Sequence, residues 1–210
     1  MPRNSVPVRA FMKNCIAIFI SILLAGLAPS AFAGFSTVVI DAGHGGHDRG
    51  GIPGQRASEK AATLDVAQRL QMNLRAAGLR TVMTRSDDVF VSLPNRVAIA
   101  NAQRNAIFVS IHFNSAKRSG AGGFETYYYT RQSAALAARL YSRLVRAWPG
   151  ENRGVKRRGF YVIRKTRIPA ALCECGFLTN PHEAALISRP ETRQRIADLL
   201  AQAIIQQSDR

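Results

Sequence analysis

The stretch STVVIDAGHGGHDRGGIPG, residues 36–54, decides the fold. Its opening residues, Ser36 to Ile40, are β-branched and apolar with little interruption, as in a strand buried on both faces. The run from Asp41 to Gly54 is dense in glycine and leads to a helix beginning near Ser58, where Ala62, Val66, Leu70 and Leu74 recur on one face. A buried strand that feeds a helix through such a loop is the first unit of an α/β fold with parallel strands.

The rest of the chain repeats that alternation. Gly78 ends the helix, and TVMTR, residues 81–85, reads as a second strand. Ser92 to Arg104 reads as a helix that tolerates Pro94 in its first turn. AIFVSIHF, residues 106–113, is a buried strand, GFETYYYT, residues 123–130, another, and residues 132–147 an amphipathic helix. A basic loop from Asn152 to Arg158 leads into FYVIRKT; Ala170 to Phe177 forms the last strand, before two C-terminal helices of which Pro181 opens the first. No repeat, low-complexity tract or linker interrupts residues 34–210. The expectation is a single α/β domain with a mostly parallel central sheet flanked by helices on both faces.

Composition agrees. With 210 residues, 47% apolar and 20% charged, the chain is long enough for one sizeable core. Residues 1–33 read differently: Arg9 and Lys13 precede an apolar run from Cys15 to Ala28, followed by Ala31, Phe32 and Ala33. That is the layout of a secretory signal peptide cut after Ala33, with an uncleaved anchor as the alternative. The apolar run is short for a membrane span, which takes roughly 20 residues. The mature chain is expected in the periplasm or secreted, with no integral span after leader removal. Formal net charge is +16, and losing Arg3, Arg9 and Lys13 leaves 26 basic against 13 acidic residues. A polyanion is the implied neighbour, and export makes nucleic acid the wrong one; acidic wall polymers or lipid headgroups fit better. Cys173 and Cys175 share one strand face, poor geometry for a disulfide. They read as buried small residues, with a metal-binding pair as the minor option.

Four polar residues lie where a packed core has no ordinary use for them. His44 follows the first strand, Glu59 opens the next helix, His112 ends a strand and Glu174 lies late in another. Crevices in open α/β sheets form at the carboxyl ends of strands, where these four can converge. Two imidazoles and a carboxylate make a three-ligand zinc set with one position open for catalysis. Glu174, on one face with Leu172 and Gly176, is then the candidate proton carrier; a carboxylate paired to a buried arginine is the alternative. Gly43, Gly45 and Gly46 free the backbone around His44. His47 reads as solvent-facing and His182 as a surface residue. Asn114 either orients substrate or ends its strand, Arg96 and Arg153 either contact substrate carboxylates or are solvated, and Tyr127 to Tyr129 read as packing residues.

VVIDAGHGGHDRG, SEK around Glu59, TRSDDVFVSLPNRVAIAN, SIHFN, RGVKRRGFYVIRKTRIPAALCECGFLTNP and the helical tail together resemble the zinc-dependent N-acetylmuramoyl-L-alanine amidases of amidase type 3. The resemblance implies one zinc ion held by His44, Glu59 and His112, with Glu174 as catalytic carboxylate. It implies hydrolysis, in peptidoglycan, of the amide between N-acetylmuramic acid and the L-alanine of the stem peptide. A zinc peptidase acting within the stem peptide and a non-catalytic wall-binding protein are the alternatives. Ala42, Phe113, Cys173 and Cys175 depart from the usual family residues, away from the four key positions. Some relatives carry an inhibitory helix before the basic loop; the segment between Thr130 and Arg153 has room for one ordinary helix, so no built-in autoinhibition is expected. A monomer is expected, its positive charge standing in for a separate wall-binding module, and no activator is identified.

Overall fold

The run read first forms strand β1, Thr37–Ala42, every residue of which is buried. The computed structural model describes residues 34–52 and 58–208, so the expected leader, residues 1–33, lies outside the described residues. After β1 come α1 (Glu59–Ala76), β2 (Arg80–Met83), α2 (Leu93–Asn101), β3 (Ala106–Asn114) and β4 (Phe124–Tyr128). A 3-10 turn, Arg131–Ser133, leads into α3 (Ala134–Leu144), followed by β5 (Asn152–Arg157), α4 (Tyr161–Lys165), β6 (Ala170–Phe177), α5 (Pro181–Ile187) and α6 (Pro190–Ser208).

The strands form one sheet in the order β2-β1-β3-β6-β4-β5. All neighbours are parallel except β4 and β6, which pair antiparallel. The mostly parallel sheet is therefore as expected, and helices cover both faces. On one face α1 packs against β1, β2 and β3, α3 packs against β4 and β6, and α6 packs on α1 and α3. Val66, Leu70 and Leu74 of α1 and Leu136, Leu140 and Leu144 of α3 are fully buried, and each such side chain contributes about 1.5–3 kcal/mol. The other face is thinner. There α2 and α4 lie over a cluster of Val39, Phe108, Tyr127, Val162, Ile163 and Leu172. No described helix is long and apolar enough to cross a membrane.

Local chemistry sets the element ends. Gly78, at φ 80°, stops α1 as the sequence suggested. Ser92 caps α2 by accepting from Asn95 N at 3.4 Å, with Pro94 in the first turn. The region after β4 departs most from the sequence reading. The basic segment expected as a loop is strand β5, which runs parallel to β4 at the sheet edge. Its pattern NRGVKR carries no apolar alternation, and pairing with β4 alone makes it a strand. FYVIRKT contributes the short helix α4, and the helix expected over 132–147 is a 3-10 turn followed by α3. Cys173 and Cys175 are buried and free, on the face opposite Glu174.

One buried carboxylate ties the β6 end to its surroundings. Glu183, 4% exposed, accepts hydrogen bonds from Gly123 N and Phe177 N, each at 2.7 Å, and from Trp148 Nε1 at 3.3 Å. Glu183→Ala strips two backbone donors of their partner, so chemical denaturation is expected to show a loss of about 2–4 kcal/mol. An unchanged denaturation midpoint would remove Glu183 from the anchoring role.

Candidate metal centre and cleft

At the carboxyl ends of β1, β3 and β6 the sheet opens into a cleft. His44, two residues past β1, takes a φ of 60°, a left-handed conformation rare for a residue with a side chain. Two buried guanidinium groups hold it there. Arg85 donates to the carbonyls of Ala42 (2.9 Å) and Gly43 (2.8 Å), and Arg96 to those of Ala42 and His44 (2.6 Å each). Arg96 also donates to Asp41 Oδ1 at 2.7 Å, and the Ser110 and Thr84 hydroxyls donate to the same carboxylate. Burial works against the Asp41 charge, but Arg96 and the hydroxyl donors outweigh it and hold the carboxyl below its usual range.

Glu59, first residue of α1, stands between the two imidazoles. Its Oε2 lies 3.1 Å from His44 Nε2, and its Oε1 lies 3.0 Å from His112 Nδ1 and accepts from Phe113 N at 3.0 Å. One donor atom from each of the three residues falls within 4.8 Å of the others. A tetrahedral zinc ion sets its ligand atoms about 3.3 Å apart, so the trio fits such an ion with little movement. Asp48 Oδ2 receives His44 Nδ1 at 2.9 Å, which orients the ring and leaves Nε2 for a metal. The approach is tight. A side chain on Gly43 would run into the His112 ring, and one on Gly50 would meet Glu59 Oε2 at 2.5 Å.

Charge follows the geometry. Burial penalises ionised Glu59, but hydrogen bonds from His112 and His44 and their charge bring it down to about 2. Burial likewise opposes a charged His112, yet the Glu59 hydrogen bond and charge, with Glu174 and Asp41 adding, raise it to about 9. Glu174 is the cross-strand partner of His112 on one side and of Glu125 on the other. It faces the cleft, with Oε2 shielded and without a hydrogen-bond partner. Burial raises its pKa to about 7, with Glu59 and Glu125 reinforcing the shift against the pull of His112.

The expected residues thus separate into groups. His44, Glu59 and His112 come together, and Glu174 joins them in the adjoining row. Arg96, read as either a substrate contact or solvated, is 3% exposed and gives its donors to Asp41 and the carbonyls of Ala42, His44 and Val91, so it clamps the backbone and is not solvated. Asn114 ends its strand, its Oδ1 taking Ser115 N at 2.8 Å. Arg153 is half-buried and bonded to Glu125, Glu151 and the Gly122 carbonyl. His47 faces solvent beside Phe90, and His182 is exposed. Sequence reasoning missed Asp48, Arg85 and Glu125. For Glu125 a signal existed, a lone acid inside a strand, though among Thr126 and the tyrosines.

The family described as N-acetylmuramoyl-L-alanine amidase matches residues 38–206. The chain is 41% identical over 172 residues to YqiI of Bacillus subtilis, covering 80% of this chain and 82% of that one. It is 37% identical over 168 residues to the N-acetylmuramoyl-L-alanine amidase LytC of Bacillus subtilis, covering 78% of this chain but 34% of LytC. Among solved structures, the catalytic domain of CwlV, an N-acetylmuramoyl-L-alanine amidase from Bacillus (Paenibacillus) polymyxa var. colistinus, superposes with a TM-score of 0.77 at 37% identity. That match covers 83% of this chain and 98% of the CwlV domain.

The cluster predicts a pH dependence for metal binding. A proton on His112 below about 9 must leave when Nδ1 takes a metal. Affinity for a divalent metal is therefore expected to rise about tenfold per pH unit just below that point, and more steeply at lower pH, where His44, its pKa also raised, must give up a proton as well. Calorimetry in two buffers of different ionisation enthalpy should register the released proton, and a pH-independent affinity would contradict the arrangement.

Proposed function

The chain belongs to the N-acetylmuramoyl-L-alanine amidase family, and from that premise we propose that it hydrolyses the amide joining N-acetylmuramic acid to the L-alanine of the stem peptide in peptidoglycan. The observation that carries this reading is a carboxylate held between two imidazoles, with a second carboxylate in the next row whose Oε2 has no hydrogen-bond partner. His44 Nε2, Glu59 and His112 Nδ1 are the proposed metal ligands. Nitrogen and oxygen donors in threes, with an open fourth position, suit zinc, and we assign one zinc ion per chain. A bound zinc ion supplies Lewis acidity to the scissile carbonyl and to the attacking water.

The protein's own groups do the rest. Glu174, whose burial favours holding a proton, accepts one from the water and passes it to the departing nitrogen, so that a lactyl carboxylate and a free L-alanine amine separate. The Oε2 atom that lacks a partner is the acceptor we assign. Asp48 holds the His44 tautomer, and Arg85 and Arg96 hold the loop that presents it. The β4 to β5 connection supports activity without autoinhibition: it is filled by α3, whose Leu136, Ala137, Leu140 and Leu144 are all buried. The proposed place of action is the periplasm or the cell exterior, reached by cleavage after Ala33.

Digestion of purified peptidoglycan is expected to release intact stem peptides that begin with L-alanine, and a chelator should stop the release until zinc is restored. Truncated peptides retained on glycan would mean a peptidase instead. Glu174→Gln should lower kcat by at least about 100-fold while one zinc per chain stays bound. If zinc were lost with activity, Glu174 would be a ligand and not the proton carrier.

A further inference from the structure

The cleft floor changes chemical character on passing Tyr127. On one side lies a cavity of about 300 Å³ that reaches His44 and His112 and is walled by Phe90, Val91, Leu93, Phe160, Tyr161 and Leu172. Its rim is unusually apolar for a surface: Phe90 is 48% exposed, Leu93 51% and Phe160 42%. Exposed apolar side chains gathered beside a site mark a binding surface. On the other side, beyond Glu174, stands Glu125 with Arg153 and Lys156 bound to its carboxylate. Tyr127 is the partition, its ring packed on Phe160 at 5.0 Å and its hydroxyl bonded to Glu125.

We propose that this cleft is two-sided and fixes the direction in which substrate enters, the aromatic cavity seating the sugar ring and Lys156, beside Arg153, seating a carboxylate of the stem peptide. The inference rests on the amidase reading and extends it to substrate specificity. A pyranose ring is uncharged and offers apolar C–H faces that stack on aromatic rings, and the cavity is large enough to take one. A carboxylate placed there would lose its hydration beside Asp41 and Asp48, and the one arginine of the lining, Arg96, already gives its donors to Asp41 and to backbone carbonyls. The opposite placement fails as well, since an ammonium group gains little from a sugar face. Lys156 is the surplus cation of its side. Arg153 is shared between Glu125 and Glu151, whereas Lys156 Nζ donates to Glu125 Oε2 at 3.0 Å and to nothing else among the described residues. An ammonium has three protons, so Lys156, with one partner, can turn a second to an incoming carboxylate.

Four soluble substrates test this. They carry either the full muramoyl sugar or its lactyl group alone on the L-alanine, and either a free carboxylate or a carboxamide on the second residue of the peptide. The zinc-loaded wild type is expected to prefer the sugar by about fivefold in kcat/KM and the free carboxylate by about tenfold. Phe160→Ala should bring the sugar ratio to about one and keep the carboxylate ratio, and Lys156→Met should do the reverse. Each ratio is measured within one preparation, so a partly misfolded variant cannot imitate the result. Equal wild-type rates within either substrate pair, or a variant that moves both ratios or neither, would overturn the two-sided cleft. Failure of the wild type to cut any of the four would instead overturn the amidase reading.

Discussion

Three successive carbonyl oxygens, those of Ala42, Gly43 and His44, point into two buried guanidinium groups, and the cleft depends on that grip. A loop rich in glycine has many conformations to lose. Held by Arg85 and Arg96, it keeps one, in which a histidine adopts a backbone angle it would otherwise avoid. Two guanidinium groups 3% exposed are costly to desolvate. The cost is offset locally: Asp41 takes one charge, and the carbonyl dipoles satisfy the remaining donors. The same carboxylate gathers hydroxyls from the strands or strand ends on either side of β1, so the clamp and the sheet register hold each other.

The four principal site residues were legible because each is a polar residue in a setting that otherwise demands apolar ones. His112 and Glu174 interrupt buried strands, and Glu59 heads a helix whose inner face is aliphatic. Such residues have no account in packing alone, and so they point to chemistry. Glu125 obeys the same rule but is followed at once by Thr126 and three tyrosines, and the polar character of that run hid it. The clamp made by Arg96 was not legible, for the opposite reason. Its side chain is long enough to turn inward from a helix start, and arginine in a sequence carries no sign of whether its donors meet solvent or buried carbonyls. Strand β5 was illegible because edge pairing leaves no hydrophobic pattern; only the partner strand identifies it.

Parallel pairing explains why the site lies where it does. Strands β1, β3 and β6 run the same way, so their carboxyl ends, with His44, His112 and Glu174, reach one edge together. Strand β4 runs against β6, so Glu125, near its beginning, meets Glu174, near the end of β6. One reversal of direction thus brings an otherwise remote half of the sheet, with Tyr127, Arg153 and Lys156, to the rim of the same cleft.

That reversal also sets where the chain can grow. Since β5 is parallel to β4, the segment just ahead of Asn152 arrives beside the cleft mouth, and there Pro149, Gly150 and Glu151 are exposed. Extra residues spliced into that junction would hang over the opening and leave the hydrophobic interior untouched. Loop length at a single surface position is therefore a dial by which descendants of this architecture could throttle entry of the polymer, independently of the machinery that cuts it.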